Sequence, residues 1–140
     1  MTQEDKELLL KDLCCRLPYK VKCKYSGEIP MIGEVTNNIG VLSNIHVDKE
    51  CPFEINGGIY GFADVKPYLR SMSSMTEEER NEYFNIIKNS IDFYNCPKSE
   101  DICFLIIPID WLNSHHFDYR GLIEKNLALE APKGIYNLND

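Results

Sequence analysis

Between Tyr19 and Tyr25 the side chains alternate without a slip, Tyr19, Val21, Cys23 and Tyr25 against Lys20, Lys22 and Lys24. A period of two is the mark of a half-buried strand, one face on a core and the other in water. The residues before it supply a helix. Leu9, Leu10, Leu13, Cys14 and Leu17 form an apolar stripe at helical spacing over Thr2 to Arg16. Thr2 and Asp5 suit a capping box, Glu4, Asp5 and Glu7 suit the positive end of the helix dipole, and Pro18 stops it. A helix followed at once by a strand points to a mixed fold.

After the alternating strand, Gly27 to Pro30 reads as a turn. Met31–Thr36 and Ile39–Val47 read as two strands joined at Asn37-Asn38, residues that tolerate positive φ. Phe53–Ile55 and Ile59–Phe62 read as a hairpin around Asn56-Gly57-Gly58. Residues 19–63 thus predict about five short antiparallel strands, which can curl into a small SH3-like or OB-like barrel or stay an open sheet backed by helices.

The second half reads mainly as helix. Asp64 to Ser74 leaves the sheet, with a bend fixed by Pro67. Thr76-Glu77-Glu78-Glu79 is a capping box. It opens a helix whose apolar face is Tyr83, Phe84, Ile87, Ile91 and Tyr94, ending near Asn95. Lys98 to Asp101 reads as a polar loop and Ile102 to Ile107 as a buried segment. Pro108 opposes one continuous helix, so a short helix is expected from about Ile109 to Ser114. The expected fold is α+β in a single domain over residues 1–140. It comprises an N-terminal helix, a five-stranded antiparallel meander or small SH3-like barrel at 19–63, and a mainly helical region at 76–132.

Charge narrows the function classes. The formal net charge is −7, and it is uneven. Residues 1–70 carry nine Lys/Arg against ten Asp/Glu, residues 71–140 six against twelve. That argues against broad nucleic-acid binding, which needs a positive face. The start of the chain lacks the basic and apolar regions of a signal peptide, and the longest apolar run, Ile102 to Ile109, is too short to span a bilayer. The expected location is the cytoplasm, with no membrane association. There the six cysteines stay reduced, and with no C-x-x-C spacing they read as small buried hydrophobes.

The chemistry-bearing stretch is Asp110 to Pro132, DWLNSHHFDYRGLIEKNLALEAP, which holds the one Trp and two of the three His. His115, His116 and Asp118 could form an acid–base site, but adjacent His residues point apart and the usual metal-ligand spacings are missing. No metal or cofactor is expected. Tyr119, Arg120, His115 and His116 could instead recognise phosphates, carboxylates or bases. Arg16 with Lys20, Lys22 and Lys24 could add a phosphate-binding stripe. The structural alternative has Asp118 capping a short helix near Tyr119, Arg120 paired with Asp110 or Asp118, and the lysines on a solvated or edge-guarding face.

Asp110–Pro132, together with VKPYLRSMSSMTEEER at Val65–Arg80, resembles a family of small proteins encoded by phages and prophages of gut Bacteroides-type bacteria. The two segments cover roughly 40 residues. Ser71 stands where the family pattern has Pro, and Asn126 where it has Gly, a change a positive-φ turn tolerates. The resemblance implies an accessory protein of a mobile element in a bacterial cytoplasm and carries over no catalytic residue. Three functions follow. The first is a non-enzymatic protein that binds a host protein, in host takeover or counter-defence. The second is a sequestering protein for a nucleotide immune signal, whose basic residues converge or meet across an oligomer interface. The third is a small hydrolase.

Overall fold

The computed structural model describes residues 1–29, 34–47, 49–94 and 101–136. Its first helix, α1 (Gln3–Arg16), opens on the expected capping box, Thr2 Oγ1 accepting from Asp5 N and the Asp5 carboxylate from Thr2 N. The buried side of α1 is Leu9, Asp12, Leu13 and Arg16; each lies three or four residues from another of the set, which puts all four on one face. Cys14, expected in the stripe, is exposed, and Cys23 is buried while Cys51 is exposed. Cys96 and Cys103 lie outside the residues whose side chains are described. The chain leaves α1 through a 3₁₀ turn, Leu17–Tyr19, so Tyr19 precedes the strand, and Lys20 takes a left-handed φ of 56°.

Among the described residues, seven strands form one mixed sheet in the order β4-β3-β2-β1-β5-β6, with β7 also on β5. β1 (Lys22–Ile29) pairs antiparallel with β2 (Glu34–Ile45) over its whole length. This corrects the two strands expected at 31–36 and 39–47: Asn37 and Asn38 lie inside β2, opposite Ser26 and Tyr25. The longer β1 offers ladder partners to both asparagines, and pairing outweighs their turn preference. Gly27 is likewise in β1, and the β1–β2 turn falls outside the described residues. β3 (Phe53–Ile55) and β4 (Gly58–Tyr60) form the expected hairpin, Asn56 and Gly57 both at positive φ.

Val65–Ser71 is β5, which overturns the expectation that this segment leaves the sheet. Val65, Pro67 and Leu69 alternate inward as a strand requires, although prolines are rare in central strands. Tyr68 O and Arg70 N bond on the β1 side, and Leu69 O accepts from Ala131 N on the other. By alternation, the N–H that Pro67 lacks would point away from β1, before β7 begins, so the ladder loses nothing. β6 (Phe117–Asp118) and β7 (Leu129–Glu130) add to β5 in parallel. The antiparallel meander is therefore four strands extended by β5 and two parallel additions, and no pairing joins β4 to β6 among the described residues.

α2 (Glu77–Tyr94) opens on its capping box, with Thr76 N donating to Glu79 and Glu79 N to Thr76 Oγ1. Its inner side chains are Tyr83 and Ile86; Phe84, expected there, is 59% exposed. Side chains at Ile91 and Tyr94 fall outside the described set. α3 (Asp101–Ser114) is one helix that runs through Pro108, so the break expected there is absent; whether Ile102–Ile107 is buried lies outside the described side chains. The proline forfeits one intrahelical hydrogen bond, a cost this continuous helix sustains. After Ser114 come strands and turns rather than helix. Asn126 has φ 59°, a positive value that asparagine tolerates better than most residues.

The described side chains form two apolar clusters. Leu9 and Leu13 of α1 pack with Val21, Cys23, Leu42, Phe53, Ile55, Leu69, Leu122 and Leu127 on the inner face of the sheet. Trp111, Leu112 and Phe117 pack with Tyr83, Ile86 and Met75 at the α2–α3 end. No helix among the described residues is long and apolar enough to cross a membrane.

Candidate binding surface

The predicted site residues separate into an interior group and a surface group. The interior group is built on a residue the sequence reading passed over, Asp12, which is fully buried. Its carboxylate accepts from Arg16 Nε at 2.7 Å and Nη2 at 3.1 Å, and from Arg120 Nη1 at 2.9 Å. This corrects the expected pairing of Arg120 with Asp110 or Asp118. Arg16 is as buried as Asp12; its Nη2 also donates to Phe117 O at 2.7 Å, while its Nη1 is buried without a hydrogen-bond partner. Both guanidinium groups lie near the ring of Tyr119, at 5.3 Å for Arg16 and 4.7 Å for Arg120. The Tyr119 hydroxyl donates to Asn113 Oδ1 at 2.8 Å. Asp118 turns its two oxygens to the N–H groups of Leu122 and Ile123 at 2.9 and 3.0 Å, the capping expected of it, although what it caps is a turn. The signal for Asp12 was present in the sequence as its place between Leu9, Leu13 and Arg16 on the inner face of α1.

The two histidines go to different neighbours. His115 stacks on Trp111 with ring centres 4.0 Å apart. His116 has φ 63°, is buried, and stacks on Tyr136 at 3.6 Å. Burial, and then the cationic Arg16, hold its imidazole down to a pKa of about 4, so it is neutral at ordinary pH. Tyr136 works harder than any tyrosine the sequence singled out. Its hydroxyl accepts from Lys22 N at 2.9 Å and donates to Tyr68 O at 2.7 Å. Those are the groups the β1–β5 register would pair next, so one phenol replaces a rung of the ladder. Nearby Arg70, also unpredicted, makes a two-toothed ion pair with Glu79 at 2.7 and 2.8 Å. That hydrogen bonding pulls the Glu79 carboxyl down to a pKa of about 2.

The lysines belong to the surface group and do not join Arg16. Lys20 is exposed in its turn. Lys22 donates to Ile135 O and lies over the Tyr136 ring. Lys24 stands on the outer face of the sheet directly opposite Lys66, whose Nζ donates to Asn126 Oδ1 at 2.9 Å. The same register puts Ile39 beside Lys24 and Val41 beside Lys22 on that face. Ile39 is 54% and Val41 37% exposed. Further along, Ile59 is exposed opposite Glu54, which pairs with His46 at 3.6 Å. Lys24 and Lys66 share only a shallow depression of about 180 Å³ with Ser26 and Asp64. Larger clefts lie elsewhere. One of about 440 Å³ runs past Arg70, Ser74, Lys133 and Tyr136; another, of about 650 Å³, runs past Asp118, Tyr119, Glu124 and Glu130. Among the described residues no group of three His, Cys, Asp or Glu side chains is placed to hold a metal ion.

Comparison with family models, with curated proteins and with solved structures gives no match.

Proposed function

We propose that this chain is a non-enzymatic accessory protein of a phage or prophage that binds a host protein through the outer face of β5, β1 and β2. The observation that carries the reading is the composition of that face. Ile39 and Val41 are open to solvent beside Lys22, Lys24 and Lys66, without a described helix over them. Exposed aliphatics bordered by charge mark a protein contact. Lys24 and Lys66 stand directly opposite each other, an arrangement that costs stability in the free protein. An acidic partner surface would turn that cost into affinity. The fitting partner therefore presents carboxylates around an apolar centre, and steering should be strong at low salt.

The nucleotide-sequestering alternative finds less support. It wants Arg16, Lys20, Lys22 and Lys24 in one cavity with His115, Tyr119 and Arg120, and the lysines and Arg16 lie in separate environments. The depression beside Lys24 is below the roughly 300–1,000 Å³ of small-molecule sites. The hydrolase alternative wants His115, His116 and Asp118 free, and each is engaged by stacking or by backbone N–H groups.

The test is capture from the native host with immobilised wild-type protein, a Lys24→Glu/Lys66→Glu variant, a Val41→Asp variant and a Lys88→Glu control on α2. The expected result is one specific host protein held by wild type and control and lost, at least tenfold, by both face variants. Equal capture by all four proteins would overturn the assignment.

A further inference from the structure

The backbone edge of β2 points to a second partner. β2 has twelve residues, and β3 on its far side has three, taking only Leu42, Asn44 and Ile45. Residues 34–41 pair with β1 alone among the described residues. Leu42 donates its N–H to Val21 O, so even-numbered residues of β2 turn their backbone groups toward β1. Val35, Asn37 and Ile39 therefore present theirs along the open edge. β5 reaches only as far as Tyr25, so beyond it Ser26–Ile29 and Glu34–Asn37 continue as a two-stranded ribbon. Such ribbons are marginal in water on their own.

The edge also lacks protection. Natural sheets blunt their edges with short strands, lysines, prolines or bulges. The other outer strands here are short, three residues in β4 and two each in β6 and β7. Residues 34–41, EVTNNIGV, contain no Lys, Arg or Pro, and the register shifts only beyond Leu42.

We propose that a second copy of this chain covers the edge, β2 pairing antiparallel with its counterpart about a two-fold axis at Asn37. With Asn37 opposite Asn37 of the second copy, Val35 falls opposite Ile39 and Glu34 opposite Gly40. That register sets no two residues of like charge opposite each other. That neutrality suits a chain whose net charge of −7 repels its own copy elsewhere. A two-fold contact closes on itself, so the edge is used up rather than propagated into a fibre. The sheet becomes continuous, and the Ile39 and Val41 positions of two molecules flank one seam.

Sedimentation velocity of the full chain, from micromolar to high micromolar concentration, tests this together with an Asn37→Cys variant. Residues facing each other in a hydrogen-bonded antiparallel pair have Cα atoms about 5.5 Å apart, within disulfide range. The expected results are a wild-type dimer and near-complete, reductant-sensitive crosslinking of Asn37→Cys that wild type does not show. Ile39→Lys and Asn37→Pro should be monomers with the wild-type circular dichroism spectrum. A wild-type monomer at every concentration would overturn the proposal. So would a dimer that survives both substitutions while Asn37→Cys stays uncrosslinked. A monomer that still captures the host protein through Lys24 and Lys66 would remove the dimer and leave the proposed function standing.

Discussion

The corner around Asp12 and the outer face of β1 and β2 treat charge in opposite ways. At the corner a single carboxylate pairs with two guanidinium groups, beside the backbone of β6 and the ring of Tyr119. On the outer face two lysines stand opposite each other with aliphatics alongside. The first arrangement is closed: its charges are paired inside the molecule, and only Arg16 Nη1 is buried there without a hydrogen-bond partner. The second is open and is stable only because water solvates it. Residue type therefore says little about function here, since the arginines and aromatics nominated for recognition hold the fold. The groups that the proposed contact would use are ordinary lysines and aliphatics.

Breaking the closed corner should give the largest effect. Asp12→Ala leaves Arg16 and Arg120 without a counter-charge in a buried setting, and the expected loss is about 3–5 kcal/mol. Thermal melts should show a fall well beyond that of any surface variant; a change within error would mean the ion pair is idle. Next comes acid. His116 stays neutral in the fold to about pH 4, while its free value is 6.5. The unfolded chain therefore takes up the proton first, and stability should decline between pH 6.5 and 4, by roughly 2–3 kcal/mol. His116→Asn, which keeps positive φ accessible, should flatten that decline. Glu79 has the depressed carboxyl, so its contribution is full above pH 4.5 and is lost as pH falls toward 2. Urea titrations across pH separate the two windows. Tyr136→Phe should cost about 1–2 kcal/mol, because it strands Lys22 N–H and Tyr68 C=O. Hydrogen exchange at Lys22 would rise if the phenol is the missing rung.

The open face should behave in the reverse sense. Lys66→Ala removes a like-charge contact and should leave stability unchanged or raise it by a few tenths of a kcal/mol, while weakening capture of the partner. A substantial loss of stability would show that Lys66 belongs to the closed set through Asn126.

What was readable in advance was local. Both capping boxes, the alternation at Val21, Cys23 and Tyr25, and the Asn56-Gly57 hairpin depend on neighbours a few residues apart, and the structure has all of them. What escaped depends on distant pairing. Pro67 signals a break until one knows which side of β5 its missing N–H faces. Asn37-Asn38 signals a turn until β1 proves long enough to pair with them. Asp12 looks like a surface carboxylate until Arg120, 108 residues away, closes on it. The outer face was half legible: the lysine ladder was seen, but the placing of Ile39, Val41 and Lys66 beside it follows from register, which no single strand encodes.

The separation of 108 residues between Asp12 and Arg120 also has a consequence in time. Helix α1 and the β3–β4 hairpin can form as soon as their own residues are free, since they close short loops. The junction of Asp12 with Arg120, of Arg16 with Phe117, and of Lys22 with Tyr136 must wait until nearly the whole chain has been gathered. Until then Arg16 is a cation on a lone helix and β1 has an unfilled gap beside β5. The seam should therefore assemble after the rate-limiting barrier. Variants there should hasten unfolding and leave the refolding rate nearly untouched.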